Sequence, residues 1–346
     1  MSKKIRLLII GSSQGVYGGI EAFMMTIAKN AKEWPEFSVK LCYKLKKGIQ
    51  PDKQLSLMAK NSTDSVHYVE KGSKDLIDLI KWAQVMHIQN APPDIVIPGF
   101  IFGKSMYLTV HNRKMSESGI YNSIWSFCMR LSKERWYNSN FVMKSWEGNS
   151  VSNNSYCIPT VCNLPSLKVE PSMRKGFLFM GRWIDNKGIE ELLLAYSRSE
   201  IDKSKWPLTI LGNGPIKDKI FKMVQELNLE TVLFPGFVTD DEKEVLISQA
   251  KWMVAPANTK EDLGLTPIEA RSVGVPSIVS NDGGLPESGG PSALIVIPGD
   301  IDSLKEKLKE ATEMSEEEYI KRSRLAEDSL KDFLKPIDFY RRKFVS

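Results

Sequence analysis

Short apolar runs alternate with glycine-bearing turns and amphipathic stretches along most of the chain. Ile5–Ile10 reads as a buried strand, Gly11 to Gly19 as a glycine-rich turn, and the residues from Ile20-Glu21 onward as a helix. Further strands are expected at Val39–Tyr43, Asp94–Ile97 and Met106–Val110. A second series runs through Phe177–Met180, Leu208–Leu211, Val232–Phe234, Trp252–Ala255, Ser277–Val279 and Leu294–Ile297. Strands this uniformly apolar, with helical stretches between them, predict parallel sheets covered on both faces. From Ser315 the pattern is helical, and the aromatic, basic stretch Phe339–Phe344 is expected to pack back on the first domain.

A chain of 346 residues is long enough for two domains of common size. The run Cys157 to Pro165 and the polar residues up to Lys175 mark the linker. The expected fold class is therefore α/β: a domain over 1–164, a second over 165–330, and a segment, 331–346, returning to the first. Two Rossmann-like, doubly wound domains facing each other across a cleft bring strand ends, glycine turns and helix N-termini together there.

Between Gly119 and Tyr137, Ile120, Ile124, Phe127, Cys128 and Leu131 recur at helical spacing. Arg130, Lys133 and Arg135 fall to the opposite face, and Trp125, Trp136 and Tyr137 add interfacial character. An amphipathic helix is expected, its apolar stripe either packed on the first core or touching a membrane or lipid acceptor.

Charge sharpens this picture. The net charge is +5, but residues 1–164 carry 21 Lys+Arg against 12 Asp+Glu, and the remainder 26 against 30. A basic first half suits an anionic partner, a phosphate-bearing acceptor or an acidic membrane surface. The cations are dispersed and no nucleic-acid motif accompanies them, so nucleic acid is not expected. The apolar run near the N-terminus is too short for a signal peptide or a membrane span, and a cytosolic protein is expected. Cys42, Cys128, Cys157 and Cys162 form no close pair, and His67, His87 and His111 are the only histidines, so reduced thiols and no metal site are expected.

The candidate chemistry sits in the second series. Glu261 and Glu269 stand eight positions apart across a loop running into a helix opened by Thr266-Pro267. The Gly264 and Leu265 amides at that helix start can meet an anion, with the glutamates flanking it as acceptors for hydroxyls. Gly181-Arg182 and Lys187-Gly188 place two cations after a strand, where guanidinium and ammonium suit a diphosphate. Gly212-Asn213-Gly214 is another strand-to-helix turn.

Together with Pro235-Gly236-Phe237-Val238, Gly274-x-Pro276 and Gly283-Gly284-x-Pro286-Glu287, these motifs resemble glycosyltransferase family 4 along the whole second domain. Gly18-Gly19-Ile20-Glu21, Thr109-Val110-His111 and Ile158-Pro159 to Asn163 extend the resemblance into the first. The resemblance implies the GT-B fold and a retaining glycosyltransferase using a UDP- or GDP-sugar. It implies transfer to a glycan or lipid-linked glycan, as in bacterial surface polysaccharide or lipopolysaccharide assembly; with the charge and helix pattern above, a cytoplasmic protein, soluble or peripheral on the inner membrane face, is expected. It assigns Arg182 and Lys187 to the donor diphosphate, Glu269 to the ribose and Glu261 to the sugar ring. Gly264 and Leu265 amides take the distal phosphate, and the Phe237-Val238 backbone takes the base. Gly18, Gly19 and Gly181 allow close approach to the donor, and His111 is the active-site histidine. Leu263 stands where the family usually has phenylalanine, and Asn112 where many members carry an acid.

Neither a metal nor a cofactor is implied: the cations and helix N-terminus serve the leaving phosphate. With no evident carboxylate nucleophile, front-face attack with retention is expected. His111 serves there as neutral imidazole, through its carbonyl, or as a general base. The competing functions are a nucleotide-sugar epimerase of the same architecture and a non-catalytic two-lobed nucleotide-sugar-binding protein.

Overall fold

The computed structural model describes residues 4–63, 65–115, 119–160, 164–236 and 238–346. The chain divides into two compact units, Met1–Asn163 with Leu334–Ser346, and Leu164–Phe333. The first is built on strands β1 (Ile5–Ser12), β2 (Phe37–Leu45), β3 (Val66–Glu70), β4 (Val85–Gln89), β5 (Ser105–Val110), β6 (Glu134–Tyr137) and β7 (Ser155–Cys157). They pair in parallel in the order β3-β2-β1-β4-β5-β6-β7. The unit's helices are α1 (Gly19–Lys32), α2 (Lys53–Ser62), α3 (Lys74–Trp82), α4 (Pro93–Ile101), α5 (Gly119–Arg130) and α6 (Asn140–Glu147). The unbroken apolar run of β1 follows from burial on both faces. Leu7 and Ile9 join the core under α1 and α2, while Leu8 and Ile10 join the core under α3, α4, α5 and α6.

The second unit repeats the plan with β8 (Lys175–Met180), β9 (Leu208–Leu211), β10 (Val232–Leu233), β11 (Ala250–Ala255), β12 (Ser277–Ser280) and β13 (Leu294–Val296). These are parallel in the order β10-β9-β8-β11-β12-β13. Its helices are α7 (Ile189–Arg198), α8 (Lys217–Glu226), α9 (Asp240–Gln249), α10 (Leu265–Ser272), α11 (Leu285–Gly289), α12 (Ile301–Glu313) and α13 (Glu316–Phe333). The last helix, α14 (Asp338–Val345), belongs to the first unit, where Tyr340 and Phe344 bury against Trp136 and Phe344 also meets Trp34, Phe37 and Tyr107.

Two elements differ from expectation. Asp94–Ile97 is not a strand but part of α4, with Pro93 in its first turn and Asp94 beside it. A four-residue apolar window does not separate a strand from a buried helix, and Pro93, lacking an N–H, fits the helix start. The helix expected over 119–137 ends at Arg130, and Trp136 and Tyr137 are buried in β6, not interfacial. Arg135 is likewise buried, donating to Ser155 Oγ at 3.0 Å and pairing with Glu147 at 3.3 Å.

Strand order reverses between β1 and β4 in the first sheet and between β8 and β11 in the second. The carboxyl ends at such reversals are where open α/β sheets bind ligands. Helices α2, α3, α6, α9 and α12 are N-capped by side chains of Asp52, Ser73, Ser139, Thr239 and Asp300. In contrast, α1, α7, α10 and α11 have glycine N-caps, Gly18, Gly188, Gly264 and Gly284, with no side-chain cap hydrogen bond.

Candidate functional site

In the second unit the loops after β8, β9 and β11 lock together. Gly181 N donates to Leu211 O at 3.2 Å, and Trp183 N to Asn213 O at 2.9 Å. Gly212 has φ +121°, and a Cβ there would lie 1.9 Å from Gly181 O. Gly188, at φ +74°, would place a Cβ 2.0 Å from Pro256 O. Only glycine fits either position, so the turns carrying Arg182 and Lys187 are fixed by backbone contact.

This clamp sets Lys187 Nζ 2.5 Å from Glu261 Oε1, a pair on loops leaving β8 and β11. The Glu261 loop is held in turn by Gly284 N, which donates to Glu261 O at 2.7 Å, and by Ser288 Oγ, which donates to Leu263 O. Leu263 is buried. Gly264 (φ +88°) then turns the chain into α10, whose first residue is Leu265. Arg182 is exposed at the head of its loop, and no ion pair holds it among the described residues. Gly181 has room at its Cα, the nearest atom to an added Cβ being a Phe179 ring carbon 3.6 Å away.

Glu269 lies one turn into α10 and accepts from Lys243 Nζ at 3.4 Å. Burial raises its carboxyl above the ordinary range, against the opposing pull of Lys243. Lys243 also lines a pocket of about 430 Å³ walled by Trp183, Phe221 and Phe234 and bounded by Gly212, Asn213 and Val238. The three rings pack edge to face or tilted, with centroids 4.8–5.9 Å apart. Val238 therefore lines this pocket, while Phe237 lies outside the described residues. Lys243 and the aromatic wall were not singled out by sequence, and Asn213 entered only as part of the Gly212–Gly214 turn. The rings are spread over three elements, and nothing local marks them as one wall.

In the first unit, Gly18 caps α1 with extended backbone, and Gly19 opens the helix. A Cβ on Gly18 would meet Glu21 Oε2 at 3.1 Å. His111 follows β5 and is almost fully buried. Its Nε2 shares a 2.8 Å hydrogen bond with Gln89 Oε1, its N–H donates to Asn90 Oδ1 at 2.9 Å, and its carbonyl accepts from Asn138 Nδ2 at 3.0 Å. Phe23 meets both His111 and His87 edge-on. Burial lowers each imidazole to about 3, His87 being further lowered by His111, so both are neutral near pH 7. Gln89 and Asn90 escaped the sequence analysis because the His and Gln of β4 break the apolar pattern of a buried strand. Beside them, Lys44 pairs with Asp94 at 2.6 Å.

Among the described residues no group of three His, Cys, Asp or Glu is gathered as for a metal ion, and Cys42, Cys128 and Cys157 are free thiols. No helix among them is long and apolar enough to cross a membrane.

Solved structures share this architecture end to end. A crystal structure of Anabaena HepE in complex with UDP aligns at TM-score 0.79 and 13% identity, over 99% of this chain and 98% of that one. The apo form of the lipopolysaccharide outer core galactosyltransferase WaaB aligns at TM-score 0.72 and 15% identity, over 98% of each. The fold is GT-B. Residues 166–331 match the family model of glycosyl transferases group 1, which places the match in the second GT-B unit. The O-antigen chain mannosyltransferase B of Escherichia coli is 31% identical over 150 residues, 42% of this chain and 39% of that protein. The alignments with the curated relatives thus span well under half of either partner.

Proposed function

We propose that this GT-B protein is a retaining, metal-independent glycosyltransferase that moves a sugar from a nucleotide-sugar to a glycan or lipid-linked glycan. The observation that carries the reading is the convergence in the second unit of Lys187, Glu261, the uncapped N-terminus of α10 and the Lys243–Glu269 pair beside an aromatic pocket. The match to glycosyl transferases group 1 over the same residues supports it. In this reading Arg182 and Lys187 neutralise the diphosphate with the Gly264 and Leu265 amides. Glu269 accepts from the ribose, and the Phe237-Val238 segment and its pocket take the base. Glu261 faces the sugar, and Gly18, Gly19 and Gly181 leave backbone open to the donor. The relatives' names point to surface polysaccharide or lipopolysaccharide assembly, and we place this activity in the cytoplasm.

Breaking the C1–O bond to the diphosphate leaves positive charge on the sugar and negative charge on phosphate, and the cations stabilise the latter. The acceptor oxygen joins C1 on the same face while its proton passes to the departing phosphate oxygen. Glu261, engaged by Lys187, is poorly placed as a nucleophile, which supports this route over a covalent intermediate. A neutral His111 is a weak base, which supports a hydrogen-bonding role. His111→Ala should lower turnover more than donor affinity, as separate measurement of kcat and nucleotide binding would show.

The deciding experiment is thermal stabilisation by UDP, GDP, ADP and CMP, with and without EDTA, since ligand at a hundred times its Kd adds about 2.7 kcal/mol. A shift with one nucleoside diphosphate that survives EDTA supports the reading; none with any nucleotide overturns the donor site. Incubation of the matching nucleotide-sugar with a glycan acceptor then separates transfer from epimerisation and from binding without reaction.

A further inference from the structure

Gln89 ends β4 at the point where the order of the first sheet reverses, and every residue of that strand is buried. Its Oε1 meets His111 Nε2 at 2.8 Å, while its own Nε2 is buried with no partner among the described residues. A buried donor left unsatisfied costs more than one neutral hydrogen bond returns, so leucine or methionine would fill this position at lower cost to the fold. The first sheet nevertheless makes room for the amide. Gly11 of β1 lies against it, and a Cβ there would sit 3.0 Å from both Cβ and Cγ of Gln89. The position is thus fitted to a side chain whose one hydrogen bond goes to a histidine.

An amide oxygen only accepts, so the proton of the neutral imidazole lies on Nε2 and the lone pair on Nδ1. Among the described residues no hydrogen bond engages Nδ1. Two further amides hold the same residue: Asn90 Oδ1 accepts from the His111 N–H at 2.9 Å, and Asn138 Nδ2 donates to its carbonyl at 3.0 Å. Asn90 turns back to do so with a left-handed backbone, φ +57°. No carboxylate or ammonium pairs with the ring among the described residues, and the titratable group meeting the same Phe23 ring is His87, itself neutral. A histidine that serves as general base is ordinarily oriented by a carboxylate, which favours its charged form. A neutral amide in that place orients the ring without making it basic. We propose that Gln89 is a positioning residue: it fixes His111 in the Nε2–H tautomer, so that Nδ1 accepts a hydrogen bond from a substrate hydroxyl. The tautomer follows from the contacts of the first unit alone, whereas the hydroxyl rests on the proposed transfer.

Ring-nitrogen chemical shifts of isotope-labelled histidine in the full chain, assigned with His111→Ala, read the tautomer directly. His111 should be neutral, with its proton on Nε2, between about pH 6 and 8. Gln89→Met keeps the volume and removes the oxygen. It should mix the two tautomers and lower kcat about five- to tenfold, with nucleoside-diphosphate affinity unchanged, in turnover of the nucleotide-sugar that matches the stabilising nucleotide. Gln89→Glu should restore the Nε2–H tautomer and recover turnover at alkaline pH, with a new acid limb in the profile, since a carboxylate beside the imidazole favours its protonation. A wild-type proton on Nδ1, the sign of the opposite amide orientation, or an even mixture of tautomers would overturn the proposal, and that spectrum needs no variant to fold. So would Gln89→Met with wild-type kcat, or a Gln89→Glu profile without the acid limb. Wild type that holds the tautomer yet shifts with no nucleotide and transfers no sugar would instead overturn the transferase reading, and the hydroxyl with it, leaving Gln89's hold on the ring in place.

Discussion

Lys187 and Glu261 are 74 positions apart in the chain and 2.5 Å apart in space. Without ligand the carboxylate holds the ammonium; with a diphosphate beside them the lysine has two anionic partners. Lys187→Met leaves Glu261 facing phosphate alone and should weaken nucleoside-diphosphate binding by about 1.5–3 kcal/mol, roughly ten- to a hundredfold by calorimetry. Unchanged affinity would place the diphosphate elsewhere. His87 and His111 make a second residue-scale prediction. Their folded values near 3 lie below the ordinary 6.5, so the unfolded chain takes up protons first as pH falls. Stability should be full above about pH 6.5 and fall progressively toward pH 3, with each histidine costing about 2–3 kcal/mol by pH 4.5. Denaturant melts at both ends of that window would show the loss, and a flat profile would refute the buried neutral imidazoles.

At the scale of elements, the site depends on turns whose backbone admits no side chain. Gly212→Ala would drive a methyl into Gly181 O, and Gly188→Ala into Pro256 O, where no flexible side chain can yield. Each should cost about 3 kcal/mol or more and displace the loop bearing Arg182 or Lys187, lowering nucleotide affinity as well. Gly48 has a similar φ of +78° with nothing near its Cα, and Gly48→Ala should cost only about 1 kcal/mol. Equal penalties at Gly48 and Gly188, whose φ is +74°, would mean that strain, not the contact between loops, explains glycine there. The helix carrying Glu269 is held from its far end. Buried Arg271 of α10 donates to Ser288 O at 2.9 Å, to Glu287 O and Ala326 O at 3.3 Å, and to Ser329 Oγ at 3.0 Å. Burial lowers its guanidinium to about 10. These bonds tie α10 to α11 and α13, so the uncapped N-terminus at Gly264 belongs to a helix fixed along its length.

At the scale of the whole molecule, the chain enters the second unit at Leu164 and returns to the first at Leu334. Tyr340 and Phe344 complete an aromatic core with Trp136, and Lys343 pairs with Glu134 at 2.6 Å. Removing residues 334–346 opens that core, and Phe344→Ala alone should cost about 3–5 kcal/mol. Calorimetry of the truncated chain should show the first unit melting at much lower temperature, with nucleoside diphosphate still stabilising the second. Simultaneous loss of both transitions would show that the units do not fold as separate cores.

The local pattern was sufficient to determine the α/β class. A strand buried on both faces is apolar throughout, as in β1 and β8, and the glycines between strand and helix mark where the backbone must turn tightly or meet another loop. Arg182, Lys187 and Glu261 drew attention for the same reason, since each stands on a loop at such a turn, and Glu269 through its spacing from Glu261. Tertiary structure alone decided what they touch. The Lys187–Glu261 and Lys243–Glu269 pairs and the Trp183, Phe221 and Phe234 wall join residues from separate elements, and periodicity along the chain carries no information about contacts across it. It also decided which side of an amphipathic helix is wet. The stripe of Ile120, Ile124 and Phe127 has the spacing of a core face, and only the packing of Cys128 and Met129 beneath it shows that the stripe points outward.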